Sequence, residues 1–180
     1  TGVQTCDVFM GAFVYGVVYT LWLKRRTPLN IVIGGAAGSF AVLAGAAAAD
    51  PGLSPESALL AVVLFLWTPP HFWALAIVLH EDYAAAGVPM LPVVKGDAAA
   101  ARVILVNTVA LAVVSLLPFL YDMGWIYLAG ALAGGGWFVF RSAQLVASPT
   151  TRAAMRCFLA SLVQLSLLLL AAMADVYARM

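Results

Sequence analysis

Six long apolar runs, at 8–23, 31–49, 58–79, 103–120, 125–140 and 157–174, leave this chain few ways to fold. A run of about 18 apolar residues crosses the roughly 30 Å hydrocarbon core of a bilayer as a helix. Lipid accepts only segments whose backbone is hydrogen-bonded internally. The expectation is an all-α, polytopic membrane helix bundle of six transmembrane helices, forming a single membrane domain over 1–180. Composition agrees: 64% of residues are apolar and 9% charged, against roughly half and a quarter in soluble domains. A net charge of +1 without a long basic run argues against nucleic acid as a partner. The expected surrounding is the lipid bilayer.

The connections carry the punctuation. Lys24-Arg25-Arg26-Thr27-Pro28 cannot sit in hydrocarbon, and its Pro marks a turn. Ser54 before Pro55 reads as a helix N-cap. Basic residues segregate: Lys24, Arg25, Arg26, Lys95, Arg102, Arg141, Arg152 and Arg156 fall in the first, third and fifth connections, and the second and fourth have none. Short basic loops stay cytoplasmic, so both ends of the chain are placed outside. Cys6 and Cys157 then lie toward opposite faces, and no disulfide between them is expected. Residues 1–7 have no basic stretch or cleavage site of a signal peptide, and the chain reads as beginning partway through something longer.

Three features could carry chemistry. The third connection, from His80-Glu81-Asp82-Tyr83 to Lys95-Gly96-Asp97, is far longer than a helix pair needs. Glu81, Asp82 and Asp97 could hold Mg²⁺, which binds through one or two carboxylates plus substrate phosphates. Lys95 could neutralise a phosphate. An ordinary solvated loop is the competing reading. The second feature is Trp67-Thr68-Pro69-Pro70-His71-Phe72-Trp73 inside the third run. Two prolines there are expected to break the helix and free carbonyls that need partners. His71 is an ionisable residue within a span and so a site candidate, able to meet heme iron or a propionate; a structural histidine at a kink is the alternative. The third is the Lys24-Arg25-Arg26 cluster, either a cytoplasmic anchor or a diphosphate contact.

Taken together these stretches resemble a known family. Tyr19-Thr20-Leu21-Trp22-Leu23-Lys24-Arg25-Arg26-Thr27-Pro28 with Gly34-Gly35-Ala36-Ala37-Gly38, then the Trp67–Trp73 motif, then Asp82-Tyr83 with Gly87-Val88-Pro89-Met90-Leu91-Pro92, are similar to the signature of the protoheme farnesyltransferases, of the UbiA-type superfamily. The resemblance implies a bundle of about nine helices around a central cavity. It implies transfer of farnesyl from farnesyl diphosphate to a vinyl group of protoheme IX, giving heme O, with Mg²⁺ as cofactor. It implies Asp82 and Lys95 as catalytic residues and Asp82 and Glu81 as metal ligands. Lys24, Arg25, Arg26, His71, Trp67, Trp73 and Tyr83 would be substrate contacts. It further implies a bacterial inner membrane, or the mitochondrial one in a eukaryote, and contact with heme A synthase or oxidase assembly factors. The family's first acidic motif has no counterpart here, and the six runs match its last six helices. The expectation is a C-terminal part that lacks half its diphosphate site. The paired prolines and Trp that usually follow Gly-Gly-Ala-Ala-Gly are replaced by Ser39-Phe40-Ala41-Val42, and His80 stands where a basic residue is common.

Two other readings stay open. One is a superfamily relative acting on an aromatic or quinone precursor. The other is a transporter, in which kinked helices and intramembrane histidines also occur. Against transport, the acids gather in one loop and no run has a central acid.

Overall fold

The computed structural model describes residues 2–23, 26–49, 52 and 54–180. Each of the six apolar runs is a helix. The first is α1 (Gly2–Phe13), continued by a π-helical stretch (Val14–Leu23). Then come α2 (Asn30–Ala49) and α3 (Pro55–Val78). The long connection folds into two short helices, α4 (His80–Ala85) and α5 (Leu91–Lys95). α6 (Asp97–Val114), α7 (Trp125–Ala147) and α8 (Thr151–Ala178) complete the bundle. Among the described residues four helices, at Asn30–Ala49, Pro55–Val78, Asp97–Leu120 and Thr151–Ala178, are long and apolar enough to cross a membrane. The apolar part of the first helix, Val8–Tyr19, is shorter. α7 has 23 residues, but its glycines and Arg141 dilute its apolar character.

The burial pattern is that of a protein in lipid. Val106, Leu170 and Met173 are 71%, 62% and 70% exposed, while Thr108, Ser142, Ser161 and Gln164 are buried. Lipid gives apolar side chains no reason to leave it, so helices meet through small and polar residues. Gly130 and Gly134 show this between α7 and α8. A Cβ on Gly130 would overlap Ala171, and one on Gly134 would lie 3.1 Å from Gln164 Cα. Buried hydroxyls pair across helices, as where Ser142 Oγ donates to Thr108 Oγ1 at 3.2 Å.

α3 is the hub, packed on α2, α6 and α8. Ser54 caps it, its hydroxyl accepting from Ser57 N–H. The expected break at Pro69-Pro70 is not there: α3 runs unbroken from Pro55 to Val78. At Pro70 a tertiary contact makes up for the missing donor. Pro70 has no N–H for the carbonyl of Leu66, four residues earlier. Asn107 on α6 supplies it instead, its Nδ2 donating to Leu66 O at 2.9 Å. Asn107→Leu should therefore cost about 1–3 kcal/mol, the usual penalty for an unsatisfied buried acceptor. Pro70→Ala restores the backbone donor, so in that background the same change should cost far less. Thermal unfolding of the four proteins checks this; an equal loss in both backgrounds would reject it.

Candidate functional site

Two features share the end of the bundle where α3 finishes and α2 begins. The antiparallel α2–α3 pair sets that arrangement: a Cβ on Gly35 would touch Thr68, and Ser39 Oγ donates to Ala61 O at 2.9 Å.

The first is a polar cleft of about 480 Å³, lined among others by Leu79, His80, Glu81, Asp82, Asp97 and Thr151. His80-Glu81-Asp82 forms the first turn of α4, where carboxylates favour the positive end of a helix. His80 Nδ1 and Asp97 Oδ1 lie 2.8 Å apart, tying the start of the long connection to its end. Asp97 is thereby engaged with His80. Glu81 and Asp82 are exposed and form no ion pair among the described residues. All three candidate carboxylates line the cleft, and among the described residues no group of three or more His, Cys, Asp or Glu could hold an ion without further ligands. A pair of adjacent carboxylates remains, enough for a Mg²⁺ that also takes phosphate oxygens and waters.

The other cleft candidates scatter. Lys95 is exposed in the last turn of α5 and does not line the cleft. Tyr83 is half-buried against the core, and its carbonyl accepts from Val88 N–H at 3.0 Å. Arg26 is exposed. Lys24 and Arg25 lie outside the described residues.

The second feature is an apolar groove of about 460 Å³ between α1, α2 and α3. Gly34, Gly35 and Gly38 give it one flat wall, and Trp67 and Phe72 line the other side. Phe72 is about 9 Å from the end of α3 at Val78, at about 1.5 Å per residue. The groove lies on the α1–α2 side of α3 and the cleft at its end beside α4, α6 and α8, and they share no lining residue. Of the predicted aromatic walls, Trp67 and Phe72 are here and Trp73 is not. Trp73 is buried elsewhere, its Nε1 without a partner among the described residues.

His71 is not a lining residue of the groove. Its ring is stacked between Trp67 at 4.1 Å and Phe158 at 4.6 Å, with Phe72 edge-on at 5.0 Å. His71 Nδ1 is 2.7 Å from Ser161 Oγ, which donates to Phe158 O. Trp67 Nε1 donates to Ser161 O at 2.9 Å. One residue of α8 thus fixes both rings, and His71 holds the back of Trp67 while the indole lines the groove. Sequence reasoning missed Phe158, Ser161 and Thr151. The one local signal was a serine in an apolar run, which lipid tolerates only with a partner.

The profile of the UbiA prenyltransferase family matches residues 6–171. The chain is 63% identical to protoheme IX farnesyltransferase 2 of Paramagnetospirillum magneticum over 168 residues, which is 93% of this chain and 58% of the relative. It is 48% identical to the protoheme IX farnesyltransferase of Roseiflexus castenholzii over 166 residues, 92% of this chain and 31% of that protein. It is 47% identical to the one of Thioalkalivibrio sulfidiphilus over 181 residues, covering 100% of this chain and 59% of the relative. The chain thus spans less than two thirds of each of these relatives. No solved structure matches it.

Proposed function

The chain belongs to the UbiA prenyltransferase family, and from that premise we propose that its protein transfers the farnesyl group of farnesyl diphosphate to a vinyl group of protoheme IX, giving heme O. Identity of 63% to a protein called protoheme IX farnesyltransferase carries the proposal. The pairing of a carboxylate cleft with an apolar groove supports it. The chain is an integral membrane protein, so both amphiphilic substrates can reach the groove from lipid.

In this reading the cleft takes the diphosphate and the groove takes apolar substrate. Glu81 and Asp82 fit a Mg²⁺, which when bound would neutralise the departing diphosphate. Arg26 and Lys95, both exposed, add positive potential that draws the anion toward that end. The groove's apolar walls keep water from the allylic cation until the vinyl carbon attacks it; the cation this leaves on the carbon beside the porphyrin then takes up one water and loses a proton, which supplies the hydroxyl of heme O. Trp67 and Phe72 supply flat faces for the porphyrin, and His71 positions Trp67.

The direct test is to incubate the full-length protein in bilayer discs with protoheme and farnesyl diphosphate and follow heme O by chromatography and mass. Product with protoheme, and none with an aromatic quinone precursor, is expected; the reverse would reject the proposal. His71→Ala should weaken heme binding, read by absorbance titration, and leave farnesyl diphosphate binding within about twofold, since the ring lies against the groove wall and away from the carboxylates. Trp67→Phe should reproduce that loss if the indole is the contact. An unchanged heme affinity in both variants would place the porphyrin elsewhere.

A further inference from the structure

The last turns of α7, the connection after it and the first turns of α8 carry Arg141, Arg152 and Arg156 and not one acid between them. Arg141 is accounted for. Its guanidinium lies 4.2 Å from the centre of the Trp137 ring, and its Nη1 donates to Gln144 Oε1 at 2.8 Å. Arg152 and Arg156 differ: both are exposed, and neither has a hydrogen bond or ion pair among the described residues. Both line a cleft of about 320 Å³ with Gln144, Ser148 and Thr150, and no carboxylate lines it. Its donors are two guanidinium forks, an amide and two hydroxyls, the set that suits a phosphate.

What lies beside the cleft identifies the phosphate's carrier. Residues 152, 156, 159 and 163 follow the i, i+4, i+7, i+11 spacing of one helix face. Arg152 and Arg156 head that face, and Leu159 and Val163 continue it at 50% and 45% exposure. On α7, Trp137 and Phe140 are exposed just before Gln144, at 42% and 51%. Cations at the top and exposed apolar side chains below are the complement of a phospholipid, with its headgroup at the interface and its acyl chains along the helices. A free phosphate would need only the upper half.

We propose that the α7–α8 cleft binds the headgroup phosphodiester of an anionic phospholipid, with Arg152 and Arg156 as its ligands.

The test uses the delipidated full-length protein in phosphatidylcholine micelles, titrated with phosphatidylglycerol, with retained lipid counted by native mass spectrometry. Phosphatidylglycerol should be retained in preference to phosphatidylcholine. The Arg152→Gln, Arg156→Gln double variant should weaken that retention about 30-fold, the loss of two cations facing an anionic headgroup. Arg102→Gln removes an exposed cation of α6 that does not line the cleft, and should leave retention within about twofold. Equal retention of the two lipids by the unaltered protein would overturn the proposal, whatever the variants do. So would equal weakening by Arg102→Gln. Displacement of the lipid by inorganic phosphate at a similar concentration would reveal a free-anion site and overturn the lipid assignment.

Discussion

Asp82→Asn should reduce farnesyl transfer by on the order of 100-fold, the scale seen when one group that stabilises transition-state charge is removed. Asp82 lines the polar cleft, is exposed, and has no ion pair among the described residues, so its charge is available to an incoming cation. The substitution removes that charge at nearly constant size and leaves the backbone bond from Ala86 N–H to Asp82 O in place. Folding should be unaffected, and thermal unfolding serves as the control. Glu81→Gln should cost less, since Asp82 would remain. Asp97→Asn should act differently: it weakens the 2.8 Å contact with His80 and loosens the connection, so it should raise KM more than it lowers kcat. Steady-state kinetics on the full-length protein separate the three. Transfer within about twofold of the unaltered protein in Asp82→Asn would remove Asp82 from the site.

The second large effect is on stability. Asp175→Leu should lower the melting temperature in detergent by about 3–10 °C, and Asp175→Asn by a smaller amount. Asp175 sits near the end of α8, 2% exposed. Its carboxylate accepts from the backbone N–H groups of Gly124, Ile126 and Tyr127, at 2.6, 3.2 and 3.3 Å. These are the donors at the start of α7 that have no partner within their own helix. Arg179 closes the arrangement, its Nη2 2.9 Å from Asp175 Oδ2. One side chain of α8 therefore caps α7 and bears on its positive end. Removing it strands three backbone donors, a loss of about 1–3 kcal/mol, and 1 kcal/mol is worth about 2–4 °C in a protein of this size. Arg179→Ala should cost less than Asp175→Leu, because the backbone donors keep their acceptor. A melting temperature unchanged in Asp175→Leu would show that α7 starts without that cap.

The six apolar runs were sufficient to place six helices, because in lipid a long apolar segment has no alternative to the helix. Their ends were less legible. The sixth run was read as 157–174, yet α8 spans Thr151–Ala178, and α6 begins at Asp97 rather than near 103. Hydropathy marks where lipid stops, whereas backbone hydrogen bonding marks where a helix stops, and polar ends such as Thr150, which caps α8, lie in the gap between the two. The motif around Asp82 and the run from Trp67 to Trp73 could be singled out from sequence, since carboxylates gathered in an overlong connection and a histidine in a span are locally anomalous.

What the local pattern could not hold is who partners whom. The double proline predicted a break. Asn107, 41 residues away, supplies the donor that Leu66 lacks, and α3 stays whole. Spacing offered Glu81, Asp82 and Asp97, and the resemblance favoured the first two; in the fold His80 engages Asp97 and leaves Glu81 and Asp82 as the available pair. Asp175 lay just beyond the predicted sixth span and carried no local signal, yet it caps a helix that begins 50 residues earlier, at Trp125. His71 was conspicuous in sequence as a candidate ligand, and packing placed it against the back of Trp67 through Ser161 and Phe158. Each of these depends on a side chain from a different helix. The sequence determined how many long apolar helices there are and which residues are unusual within them, but not the two short helices α4 and α5 of the long connection. Only the packing of α3 against α2, α6 and α8 decided which unusual residues face the groove and the cleft and which hold the bundle together, because a polar group in lipid must be satisfied by whatever neighbour the packing brings.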